Sequence, residues 1–130
     1  MPDQRYLYAI VISDTQGLIR HWDDGAEHFF GYSATEAEGR PLDLIVPPEY
    51  RQRHWAGFRK AMSTGECASD RAATNLPVLC KDGTVRVFPA RFMFLQDARN
   101  RAVGAMGIYS APMGSEQPFG PIIGQGDGSS

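Results

Sequence analysis

His54 has the clearest capacity for chemistry. On a helix predicted from about Pro48 to Ser63, a 100° advance per residue places Gly57, Tyr50, Ala61, His54 and Phe58 in order around one apolar face, with Met62 and Trp55 at its margins. Arg59, Gln52, Ser63, Lys60 and Arg53 take the opposite side. An imidazole at the centre of an apolar face costs desolvation energy unless it is neutral and partnered, by a hydrogen-bonding group or by a metal. A core histidine bonded to backbone is the simpler alternative. His21 alternates with the inward residues of its strand and is expected to face solvent, and His28 lies beside Phe29 on a different helix. Cys67 and Cys80 match no zinc spacing and no Cys-x-x-Cys pattern, which leaves reduced structural thiols as the simplest reading.

Catalytic patterns are missing. The chain has no Gly-x-Ser-x-Gly elbow, phosphate loop or His-Glu-x-x-His, and Asp23-Asp24 is explained as a turn and a helix cap. The expectation is a protein that is not an enzyme.

The elements that must position His54 follow from punctuation and periodicity. Tyr6 to Ser13 is β-branched and aromatic, and Asp14-Thr-Gln-Gly17 turns it into a second strand, Leu18 to Trp22. Asp23-Asp24-Gly25 can cap a helix carrying Ala26, Phe29 and Phe30, and Gly31 suits its left-handed end. Ser33-Ala-Thr-Glu36 is a capping box for another turn of helix, stopped by Gly39. After the short apolar stretch Leu42 to Val46, Pro48 suits the first turn of the long helix, which Gly65 ends. Strand character returns from about Ser69, with Lys81-Asp82-Gly83-Thr84 as the hairpin turn between Asn75–Cys80 and Val85–Leu95. A last strand spans about Ala102 to Ser110, beyond which Pro112 bars pairing. Strands, then helices, then strands predict an α+β domain over residues 1–112, an antiparallel sheet with helices on one face. Residues 113–130 hold five of the fourteen glycines and few apolar side chains, so a disordered tail is expected there.

Charge and hydropathy narrow the function classes. Thirteen basic against fifteen acidic residues, with no Lys or Arg run, argue against nucleic-acid binding. No apolar stretch nears the roughly 20 residues that cross a bilayer, and the first residues lack a signal-peptide pattern, so a cytoplasmic protein without membrane contact is expected.

Four stretches together resemble the PAS family: Gly17-Leu-Ile-Arg-His-Trp22, Ala26-Glu-His-Phe-Phe-Gly-Tyr-Ser33 continued by Glu36-Ala-Glu-Gly-Arg-Pro-Leu42, Val46-Pro-Pro-Glu-Tyr-Arg-Gln-Arg-His54, and Lys81-Asp-Gly-Thr-Val-Arg-Val87. The resemblance implies the PAS fold, a five-stranded antiparallel sheet whose concave side and long helix enclose a ligand pocket. It implies a sensory module for signal transduction. Tyr50-Arg-Gln-Arg-His54 is similar to the haem-binding PAS domains of nitrogen-fixation oxygen-sensor kinases, in which a histidine on this helix is the proximal iron ligand. That likeness implies b-type haem held through the Nε2 of His54 for gas or redox sensing. Tyr50, Phe58, Met62, Phe88, Phe92, Met93, Phe94, Met106 and Ile108 are the side chains that could line the slot, with a methionine as a possible sixth ligand. A c-type haem is excluded by the cysteine spacing.

The chain departs from the family in three places. Asp23 stands where Asn is common, Tyr109-Ser-Ala-Pro112 replaces the ending that couples to an output helix, and Arg71 to Pro77 lacks the arginine that binds oxygen on the third strand. The alternative reading is a cofactor-free PAS domain that serves as a dimerisation or docking module, or that binds a small organic metabolite. A flavin photosensor is disfavoured, because Cys67 and Cys80 flank a strand and lie off the helices. PAS sheets commonly pair across their outer face, so a homodimer with Tyr6 and Tyr8 as anchors is expected, and a signalling partner would be supplied in trans.

Overall fold

A computed structural model of the chain describes residues 6–64 and 74–112. In chain order the elements are β1 (Tyr8–Ser13), β2 (Ile19–Trp22), α1 (Asp24–Phe30), α2 (Ala34–Ala37), two 3-10 turns (Leu42–Ile45 and Pro48–Tyr50), α3 (Arg51–Thr64), β3 (Thr74–Leu79), β4 (Val85–Gln96) and β5 (Ala102–Ser110). The five strands form one antiparallel sheet in the order β2-β1-β5-β4-β3, so the expected α+β fold is the one observed. Cys67 and the 113–130 tail lie outside the described residues.

Local chemistry explains the connections. In the β1–β2 turn, the Asp14 carboxylate accepts from the backbone N–H of Gln16 at 2.9 Å and of Leu18 at 3.0 Å. Asp23, at the position where Asn is common, accepts at its Oδ1 from Ala26 N–H (2.9 Å) and Ile10 N–H (3.0 Å), which caps α1 and ties it to β1. Such a cap is worth about 1 kcal/mol. Gly31 ends α1 at φ +97°, and the Ser33–Glu36 capping box is complete in both directions. The long helix differs slightly from expectation. Pro48–Tyr50 is a 3-10 turn, and the α-helix begins at Arg51, because Pro47-Pro48 restricts the entering backbone to a tight turn.

Residues paired across a ladder share a face of the sheet. Ala90, Phe92 and Phe94 of β4 pair with Tyr109, Gly107 and Ala105 of β5, and Val11 of β1 also pairs with Gly107. This is the inner face. It lies under α1, where Phe88 stacks on Phe29 (5.5 Å) and meets Phe30 edge-on (5.1 Å), and under α3, where Phe58 meets Phe94 (6.2 Å). Gly107 is small by necessity, since a Cβ there would press on the rings of Phe92 and Tyr109. The opposite, outer face carries Ile10 and Ile12 against Ile108 and Met106, which also pair with Arg91 and Met93.

Candidate functional site

α3 sits over the inner face through Phe58 and Ala61, which are both buried. His54 is one turn before Phe58, stacked on its ring at 6.0 Å and edge-on to Trp55 at 4.8 Å. The Nδ1 atom of His54 is buried, and it has no hydrogen-bond partner among the described residues. Burial holds the imidazole below its usual pKa, and the Asp43 carboxylate offsets part of that shift. His54 is therefore neutral near pH 7, with one buried nitrogen unsatisfied.

Trp55 fixes α3 in place. Its indole N–H donates to Asp43 Oδ1 at 2.6 Å, and its ring lies over the β1–β2 turn so closely that a Cβ at Gly17 would overlap it. Arg51 adds two bonds to the same loop, donating from Nε to the Val46 carbonyl (2.9 Å) and from Nη2 to the Asp43 carbonyl (3.2 Å). The sequence reading missed this clamp. Gly17, Asp43 and Trp55 are far apart in the chain, and the only local signal was Gly17 in its turn.

The side chains expected to line one slot fall into three groups. Tyr50, Phe58 and Met62 belong to the 3-10 turn and α3, and Phe92 and Phe94 present inner-face positions that are half-buried. Phe88 is on the inner face but in the core under α1, with only 1% exposure. Met106, Ile108 and Met93 are corrections. Their register puts them on the outer face, across the sheet from Phe92, Phe94 and His54. The parity of the β4–β5 pairing decides this, and apolar composition did not reveal it. His21 is exposed as expected, and the exposed His28 stacks on Tyr6 at 4.7 Å. Tyr6 packs against the core and so is not an open anchor, whereas Tyr8 is 57% exposed.

The remaining polar groups have structural roles. Cys80 is buried, its thiol points at the carbonyls of Phe29 and Val78, and burial raises its pKa. Burial also raises the phenol pKa of Tyr109, which keeps the ring neutral. Lys81 bridges to Glu36 at 2.7 Å and donates its backbone N–H to the Phe30 carbonyl at 2.8 Å, docking the β3–β4 hairpin on the helices. Among the described residues no group of three or more His, Cys, Asp or Glu side chains could hold a metal ion, and no helix is long and apolar enough to cross a membrane.

Comparison with known proteins agrees with this architecture. An uncharacterized protein of Azorhizobium caulinodans is 35% identical over 83 residues, which is 63% of this chain and 11% of that protein. The chain thus spans a small part of that relative. The PAS domain of a protein from Colwellia psychrerythraea superposes with a TM-score of 0.67 at 24% identity, over 83% of this chain and 91% of that one. The PAS domain of the Cronobacter turicensis quorum-sensing receptor RpfR, in complex with C12:0, gives 0.60 at 17% identity, over 79% and 91%. The family model described as the PAS fold matches residues 19–109, and with the sheet order and helix placement above, the chain belongs to the PAS family of sensory domains.

Proposed function

We propose that this PAS domain senses a small, largely apolar ligand taken up between α3 and the inner face of the sheet, with His54 as its polar anchor. The unsatisfied Nδ1 of His54, whose ring packs on Trp55 and Phe58, carries the reading. A buried nitrogen without a partner costs about 1–3 kcal/mol, and a ligand hydrogen bond would return that energy. The RpfR PAS domain, which is similar in fold and is found in complexes with C12:0 and with BDSF, supports a small organic ligand. Binding would signal by favouring one arrangement of α3 and the sheet over another.

Haem is the second reading. The neutral imidazole favours it, because iron takes a deprotonated ring nitrogen. The walls fit it poorly. Met106 and Ile108 are on the outer face of the sheet and supply neither wall nor sixth ligand. The outer face, which no described helix covers, would serve the homodimer or a partner in trans.

One experiment separates the readings. Purified protein is titrated with C12:0 and, separately, with haemin, and followed by thermal melting and visible absorbance. The expected result is a C12:0-dependent rise in Tm that His54→Leu weakens, with no His54-dependent Soret band. A Soret band lost in His54→Leu would establish haem instead, and no response to either probe would reject the interior site.

A further inference from the structure

A second place on the surface combines apolar walls with fixed positive charge. Tyr32, Pro41, Leu44 and Leu79 line a groove of about 270 Å³ between the helices and the end of β3, together with Arg40, Arg51 and Asp43. The Arg51 guanidinium is oriented before any ligand arrives, because its Nε and Nη2 are held by the Val46 and Asp43 carbonyls, which leaves Nη1 to bind. Arg40 is exposed, and its side chain makes no hydrogen bond or ion pair among the described residues. Asp43 also lines the groove and keeps its negative charge, since its Oδ1 accepts only from the neutral Trp55 indole, so the two guanidinium groups outweigh one carboxylate. Lys81, 6.0 Å from the centroid of the Tyr32 ring, is bonded to Glu36 and adds little net charge.

We infer that this groove binds a small carboxylate with an apolar body, its anionic head between Arg40 and Arg51 and its body against Tyr32, Leu44 and Leu79. Guanidinium groups bind carboxylates through charge-assisted hydrogen bonds, and one already held in place loses less freedom on binding than a mobile one. The site is separate from the interior reading, as His54 does not line it.

The test uses benzoate as the probe and benzyl alcohol as its neutral counterpart, followed by NMR shifts of the Leu44 and Leu79 methyl groups in the intact chain. Benzoate is expected to saturate and to bind at least tenfold tighter than benzyl alcohol. Arg40→Ala, which removes no internal bond, is expected to weaken benzoate by about 10-fold or more, the loss expected for a charge-assisted contact. His54→Leu is expected to leave benzoate binding unchanged, so this site and the interior one can fail independently. Absent saturation, equal affinity for benzyl alcohol, or full affinity in a folded Arg40→Ala protein would each overturn the inference.

Discussion

The inner and outer faces of the sheet are built from alternate residues of the same strands, yet they have different fates. Phe88, Ala90, Phe92 and Phe94 turn inward and are covered by α1 and α3. Val87, Met93 and Leu95 turn outward with Ile10, Ile12, Met106 and Ile108, and no described helix covers them. A strand with one solvated face normally alternates apolar inward with polar outward residues. Here Arg91 is the only charged outward residue on β1, on β5 and on β4 from Val85 to Leu95. Burial on one face of a PAS sheet therefore says nothing about hydrophobicity on the other, and the apolar outer face is the surface that the proposed homodimer would cover.

The contrast can be broken most severely at Phe88. That ring is 1% exposed and touches Phe29 and Phe30, so Phe88→Ala is expected to cost about 3–5 kcal/mol in urea unfolding. Ile108→Ala, on the half-exposed outer face, should cost less than half as much in monomeric protein. Equal costs would mean that the outer face is as tightly packed as the core.

A change of charge sharpens the comparison from the other side. If a second copy covers the outer face, wild-type protein should run as a dimer in light scattering at tens of micromolar, and Ile108→Arg should run as a monomer with an unchanged circular dichroism spectrum. Tyr8→Ala should weaken the dimer less, since Tyr8 lies near the end of the face, where its partner is Ser110. A wild-type monomer under those conditions would reject self-association and leave a different partner as the occupant.

How much of this was legible in the sequence depended on the range of the forces involved. Caps, turns and the bounds of the elements are set within a few residues, and Asp23, Gly31, Ser33 and Gly83 do what their types and positions predict. The placement of His54 on the apolar side of its helix was legible as well, through 3.6-residue periodicity. The grouping of Met106 and Ile108 with Phe92 and Phe94 failed because all four are apolar, and only the pairing of Met93 with Met106 and of Phe94 with Ala105 fixes the parity. The Asp43–Trp55 bond and the ring over Gly17 join segments that no local pattern connects.

The smallest expected effect is at His54, and it isolates the inner face through pH. Burial lowers the pKa of His54 in the fold below its ordinary value of 6.5, so the unfolded chain takes up a proton that the folded chain resists. Stability contributed this way is complete above the unfolded pKa and declines as pH falls through it towards the folded pKa. The decline cannot exceed about 1.4 kcal/mol per pH unit for one proton. Asp14, Asp82, Asp97 and Glu36 have lowered pKa values and lose their contribution only as pH falls from the ordinary carboxylate range towards their folded values, so the two windows are distinct. Urea midpoints for wild type should fall between pH 7 and pH 5, whereas those of His54→Leu should stay flat over that interval and bend only where carboxylates titrate. The outward-facing Met106→Leu protein should follow the wild-type curve. A His54→Leu curve as steep as wild type would place the titrating group elsewhere and remove the physical basis for His54 as the buried anchor of the site.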